Sequence, residues 1–168
     1  MGAGKSAIGR RLAQRLGVPF LDADTEIERA AGTTISEIFE KHGEAAFRDG
    51  ERRVIARLLD GPAGVLATGG GAFMDPETRA RIKERAVTVW LKADLDTLVE
   101  RVSRRGHRPL LKNGDPREIL ARLIAQRDPV YAEADITVET GQAPAAATVE
   151  RVMAALTAFR ARSQGRPQ

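Results

Sequence analysis

At 168 residues the chain has the length of one ordinary domain, enough to bury about two-thirds of its unfolded surface. Hydrophobic residues at 42% and charged ones at 30% exclude wholesale disorder and fibrous repeats, and the absence of cysteine excludes a disulfide scaffold, a thiolate metal site and cysteine catalysis. Twenty-seven Lys and Arg against 23 Asp and Glu leave +4, which suits an anionic ligand without demanding nucleic acid, since aromatics are only 4%. No apolar run approaches the roughly 18 residues of a membrane helix, and the opening residues do not read as a signal peptide, so the expectation is a cytoplasmic protein with no membrane contact.

Short β-branched runs alternate with longer segments of helical period, the pattern of βα units feeding a parallel sheet and hence of an α/β fold. In chain order, a helix is predicted over 5–16, closed by Leu16-Gly17 where φ can turn positive, and a strand over 19–21. Helices follow at 24–31, 36–41 and 44–59, the second opened by Thr34-Ile35-Ser36-Glu37, which fits a capping box. A strand at 64–67 leads to a helix at 76–84, where Asp75-Pro76 places proline in the first turn at no hydrogen-bonding cost. Then come a strand at 87–91, a helix at 95–103, a loop rich in Arg, Gly, Pro and Lys, a helix at 116–126, a strand at 136–138 and a helix at 148–160. All four strands are short and apolar enough to be read as buried. No internal repeat is visible, the one biased stretch is the alanine-rich run 143–147, and a tail from about 161 to 168 is expected to fray.

Gly2-Ala3-Gly4-Lys5-Ser6 matches the end of G-x-x-x-x-G-K-[ST], a loop whose backbone NH groups and following helix cradle phosphates. In that geometry Gly2, Ala3, Gly4 and Ala7 contribute backbone, Lys5 neutralises the β and γ phosphates, and the Ser6 hydroxyl ligates Mg²⁺. The motif's first glycine and its feeding strand would lie before Met1. Met1 is therefore expected to be an internal methionine of the loop, in a chain lacking about ten residues of the natural protein.

Past the loop, Phe20-Leu21-Asp22-Ala23-Asp24 sets two carboxylates at the C-terminal end of a strand, where open α/β sheets bind ligands, and strand alternation points them differently. Phe47-Arg48, Thr68-Gly69-Gly70-Gly71-Ala72, Arg108-Pro109-Leu110-Leu111 and Arg127-Asp128-Pro129-Val130-Tyr131 follow in that order. With the phosphate loop, this ordered set closely resembles the shikimate kinases, small P-loop kinases of the nucleoside-monophosphate-kinase type, from Met1 to about Phe159. The resemblance implies a three-layer P-loop NTPase fold, a parallel sheet flanked by helices, in a single kinase domain over 1–168. Its lid would be at about 104–116 and its substrate-binding helical segment at about 24–59.

Residue by residue, the resemblance assigns Asp22 to Mg²⁺ through water and Asp24 to the ring hydroxyls of shikimate, where it assists deprotonation. A helix N-cap is the other role open to Asp24. Arg48 and Arg127 are assigned to the substrate carboxylate, with Gly69, Gly70 and Gly71 offering backbone NH groups close by. Solvated helix faces and a plain turn are the corresponding alternatives. Arg108 would be the lid residue that meets the transferring phosphoryl group. Arg101, and Gln142 with Pro144, are placed around adenine, Gln142 being equally readable as an ordinary surface glutamine. His42 and His107 are read as surface residues, and Tyr131, Trp90 and Phe39 as packing. The implied activity is transfer of phosphate from ATP to the 3-hydroxyl of shikimate, in the route to chorismate and aromatic amino acids, by a monomer that needs ATP, Mg²⁺ and shikimate and binds neither nucleic acid nor membrane. The alternatives are another small-molecule kinase of this architecture, such as a gluconate kinase, and a nucleotide-binding module that has lost catalysis.

Overall fold

The structure, a computed structural model, describes residues 4–103 and 114–164. They gather into two compact units, one built from residues 9–87 and the other from the first turns of the chain together with residues from 88 onward.

In the unit 9–87, most of helix α1 (Lys5–Leu16) is followed by strand β1 (Phe20–Asp22), helix α2 (Ala23–Ala31) and the long helix α3 (Ile35–Leu59). Gly17 at φ 67 closes α1, and the capping box of Thr34 and Glu37 opens α3, as their sequences predict. Three hydroxyl and amide donors from Thr33 and Thr34, with Lys41 adding a weaker pull, hold Glu37 at a pKa of about 2. Strand β2 (Val65–Ala67) pairs with β1 in parallel, Leu21 opposite Leu66, and the Val65 N–H reaches back to the Pro19 carbonyl at 2.9 Å. A 3₁₀ turn at Ala72–Met74, which has no apolar period to announce it, then leads to α4 (Pro76–Arg85), capped by Asp75. The core is two clusters: Ala23, Ile55, Ala72 and Ile82 beneath the strands, and Ile27, Ile38, Phe47 and Val54 between α2 and α3.

In the other unit, β3 (Val89–Lys92) and β4 (Ile136–Glu139) pair in parallel, with α5 (Leu95–Ser103), α6 (Pro116–Tyr131) and α7 (Ala145–Gln164) around them. Thr88 and Asp135 lock the start of that pair: the Asp135 carboxylate accepts from the Thr88 N–H at 2.8 Å and its hydroxyl at 2.6 Å. Leu98, Val102 and Leu120 form the core between α5 and α6.

Three expectations need correction. No strand is buried throughout: β1, β2 and β3 are half-buried along their length, and in β4 Ile136 and Val138 turn inward while Thr137 and Glu139 are exposed, the alternation of a half-wet strand. Helix α6 does not stop at 126 but continues through Pro129 to Tyr131. Residues 161–164, expected to fray, are helical, because α7 runs on to Gln164. No helix among the described residues is long and apolar enough to cross a membrane.

Candidate active site

Strand β1 ends at Asp22 and the chain enters α2 at the next residue. Asp22, at φ −110 and ψ 116, is the N-cap, its carboxylate accepting the Asp24 N–H at 3.1 Å. The capping role open to Asp24 is thus taken by Asp22. Asp24 lies on the helix rather than on an alternating strand, and its side chain is exposed in the first turn.

Two later elements bring partners to that turn. Gly69 follows β2 so closely that a Cβ there would stand 3.3 Å from Asp24 Oδ1 and 3.4 Å from Glu51 Oε1. At Gly71 a Cβ would fall 2.5 Å from Arg48 Nη2 and 2.6 Å from its Cζ. Gly71 has φ −84 and ψ −21, a backbone any residue adopts, so what the position requires is the missing side chain. A plain turn would need no such closeness. The 69–71 segment is closed by 3₁₀ bonds, Ala72 N–H to the Gly69 carbonyl at 3.2 Å and Met74 N–H to the Gly71 carbonyl at 3.1 Å.

Arg48 is half-buried on α3, its guanidinium donating to Glu51 at 2.6 Å and to Glu44 at 3.4 Å and lying 5.0 Å from the Phe47 ring centre. Burial pulls its pKa down, but the bond and charge of Glu51, with Glu44 behind, carry it above the ordinary value. Glu51 is 3% exposed. Burial pushes its carboxyl up, Arg48 pulls it back, and the charges of Asp24 and Asp75 push it up further. Glu51 is the residue that the sequence reading missed; the signal was an acid three positions after Arg48 in a helix, on the same face. Asp24, Arg48, Glu51, Gly69 and Gly71 therefore form one cluster: a carboxylate and a braced guanidinium over a glycine loop.

In the other unit, Gly4 adopts φ 83 just before α1, and its carbonyl accepts the Ile8 N–H at 3.0 Å. Lys5, Ser6 and Ala7 form the first helical turn, Lys5 half-buried and the other two exposed, where the helix dipole favours an anion. Gly2, Ala3, Arg108, His107 and the proposed lid, but for its last residues, lie outside the described residues. Arg101, near the end of α5, donates to the Gly141 carbonyl at 2.5 Å, and Gln142 donates to Glu100 at 3.5 Å. These bonds bring the two expected adenine residues together, although Gln142 itself is exposed. Arg127 is half-buried on α6, one turn before Tyr131, whose hydroxyl burial pushes up and the charge of Arg127 pulls back. Tyr131 packs edge-on against Trp90, and Phe39 lies against Phe47 but is 38% exposed. His42 is exposed.

The shikimate kinase family model matches residues 1–157. Shikimate kinase of Paramagnetospirillum magneticum is 62% identical over 159 residues, spanning 95% of this chain and 82% of the relative. That of Caulobacter vibrioides is 61% identical over 156 residues, 93% of this chain and 78% of the relative. Among solved structures, shikimate kinase from Acinetobacter baumannii in complex with shikimate superposes with a TM-score of 0.88 at 42% identity, covering 94% of this chain and 89% of that one. A gluconokinase from Sinorhizobium meliloti, at 18% identity and a TM-score of 0.64, shares the fold alone. With the family matched over nearly its whole length and these relatives alike across most of theirs, the chain belongs to the shikimate kinase family.

Proposed function

We propose that the chain transfers a phosphoryl group from ATP to the 3-hydroxyl of shikimate, giving shikimate 3-phosphate and ADP in the route to chorismate. The observation that carries this is the cluster on α2, α3 and the 69–71 loop. A mere nucleotide binder has no use for a carboxylate and a braced guanidinium brought close against a loop whose glycines make way for them. An anionic polyol needs both: an ionised carboxylate offers about four acceptor sites to hydroxyls, and a guanidinium fork fits a carboxylate bidentately.

Asp24 is proposed to accept from the ring hydroxyls and to take the proton of the attacking one, since its exposed oxygens in the first turn of α2 stand beside Gly69. Arg48, with the backbone NH groups of Gly69, Gly70 and Gly71 beside it, is proposed to hold the substrate carboxylate, and the family resemblance gives Arg127 the same role. Gly4, Lys5, Ser6 and Ala7 bind the phosphates at the start of α1, together with Gly2 and Ala3; Lys5 is the charge that stabilises the transferring group. Arg101 and Gln142 border adenine. Arg108 acts from the lid at about 104–116, and the segment 24–59 carries the acceptor.

Mg²⁺ fits the donors present. Ser6 offers a hydroxyl and Asp22 a carboxylate whose Oδ1 caps α2, each an oxygen donor of the kind taken by a hard ion that keeps several waters and the nucleotide's own phosphates. Bound there, the ion would neutralise charge on the phosphates. The charge of +4 suits two anionic substrates, and the enzyme is proposed to work as a cytoplasmic monomer without nucleic acid.

A coupled ADP-release assay with ATP and Mg²⁺, run with shikimate, with gluconate and with neither, tests the proposal. Release that requires shikimate is expected. Release with gluconate instead would assign the neighbouring kinase class, and ATP binding without release on either acceptor would assign a nucleotide-binding module.

A further inference from the structure

The glycine loop is held from its downstream side. Ala72, the residue after Gly71, is fully buried with Ala23, Ile55 and Ile82, which anchors the base of the 3₁₀ turn in the core. A short turn leaves its last carbonyls to find donors outside it. Those of Phe73 and Met74 are met by one side chain: Arg79, half-buried on α4, donates from Nη1 to the Phe73 carbonyl at 2.9 Å and to the Met74 carbonyl at 3.3 Å.

The same corner is tied twice more. The Arg79 N–H donates to the Asp75 carbonyl at 2.9 Å, so one residue takes three successive carbonyls, 73, 74 and 75. The Asp75 carboxylate accepts the Thr78 N–H at 2.8 Å and, on its other oxygen, the Arg52 guanidinium of α3 at 3.3 Å. Arg52 is 38% exposed and also faces Asp49 at 3.5 Å, so this ion pair is a weak tie in water. The half-buried guanidinium on two carbonyls is the stronger one, because a charge-assisted bond gains where solvent is partly excluded. Upstream the tolerance is small. A Cβ at Gly71 would stand 2.6 Å from Arg48 Cζ, so a loop displaced by a fraction of an ångström alters the space in which that guanidinium meets a ligand.

We infer that Arg79 is a positioning residue for the acceptor: its guanidinium, closed over the Phe73 and Met74 carbonyls, sets where the 69–71 loop stands against Arg48. This rests on the role proposed above for Arg48 and that loop.

Arg79→Met keeps most of the stem and removes the donors. Its KM for shikimate should rise about tenfold, since a misplacement of about 1 Å can cost about 100-fold and the core still holds Ala72. The KM for ATP should stay put, and kcat at saturating shikimate should move far less. Both bonds leave from one nitrogen, which an ammonium can replace, so Arg79→Lys should recover part of the loss. Arg81→Met is the control: Arg81 ties the same helix to Asp60 at 2.7 Å, so its loss loosens α4 and lowers Tm but leaves the shikimate KM alone. In an Arg48→Ala background Arg79→Met should add little, because it acts through the loop and Arg48. Each KM is independent of the folded fraction, so lost stability does not imitate the effect. If Arg48→Ala leaves the shikimate KM unchanged, the acceptor role of Arg48 falls. If Arg48→Ala raises it while Arg79→Met does not, if Arg81→Met raises it as much as Arg79→Met, or if the effects of Arg48→Ala and Arg79→Met add in full, only the role of Arg79 is overturned.

Discussion

At Arg48 the guanidinium sits between two carboxylates of unequal character, Glu51 at 2.6 Å and 3% exposed, Glu44 at 3.4 Å and in solvent. Because burial raises the Glu51 pKa above its ordinary 4.5, the folded protein holds a proton there that the unfolded chain has already lost. Stability therefore falls as pH rises through the window that opens at 4.5 and closes at the raised value. Glu51→Gln removes that cost but gives up a charge-assisted bond to Arg48. At pH 7 its Tm should be no lower than that of the wild type, any advantage shrinking below pH 4.5, while the shikimate KM rises by an amount worth about 1.5–3 kcal/mol. Thermal unfolding across pH and steady-state kinetics would show it; a lower Tm with a normal KM would reverse both expectations. Gly71→Ala makes the complementary test. Its backbone accepts alanine, but the new Cβ would meet the flexible end of Arg48, so stability should stay within about 1 kcal/mol while shikimate binding weakens. Unchanged binding would mean that Arg48 has room to move and still serve. Asp24 and Arg48 were legible as members of ordered motifs, but Glu51 was not. In Gly50-Glu51-Arg52-Arg53 helical spacing makes Glu51 a neighbour of Arg48, but spacing alone does not say that the fold will bury it.

Along the elements, period and punctuation located most helices, and the errors have physical causes. Pro129 reads as a helix breaker, yet it removes only one N–H bond, and the Ala132 N–H still closes onto the Asp128 carbonyl at 2.9 Å, so α6 carries Arg127 and Tyr131 on its last turn. The run 143–147 reads as low complexity, but its alanines are the strongest helix formers and α7 starts at Ala145, within it. Gly43 was legible: helices were expected at 36–41 and 44–59, and the single α3 bends between them, with Gly43 at φ 78 and ψ 176. That conformation is essentially reserved for glycine, and a Cβ there would meet nothing within 4 Å, so the objection to any other residue is backbone strain alone. Gly43→Ala should cost about 1–3 kcal/mol, seen as a lower Tm or denaturant midpoint. Since Phe47, Arg48 and Glu51 follow the bend, the shikimate KM should rise with it. An unaltered Tm would show that α3 can straighten at no cost.

For the molecule as a whole, chemistry written in short motifs was readable in the sequence, and the contacts that tune it were not. Lys5 and Ser6 stand at the spacing of a phosphate loop, whereas the ties of Arg101 to Gly141 and of Gln142 to Glu100 depend on elements meeting after folding. In the proposed roles the two substrates use separate residue sets, so each should stabilise the protein through its own set. A ligand at about 100 times its Kd adds about 2.7 kcal/mol to unfolding, provided that it binds only the folded state. Shikimate alone and ATP with Mg²⁺ alone should each raise the wild-type Tm. Arg48→Ala should remove most of the shikimate shift and keep the ATP shift; Lys5→Ala should do the opposite. The comparison must be of shifts rather than of absolute Tm, because Arg48→Ala also strands the buried Glu51 carboxylate and lowers the ligand-free value by itself. Differential scanning calorimetry of the three proteins with each ligand measures this. A full shikimate shift surviving in Arg48→Ala would place the acceptor carboxylate elsewhere, and an ATP shift surviving in Lys5→Ala would mean that the start of α1 contributes little to ground-state binding and acts in the transition state alone.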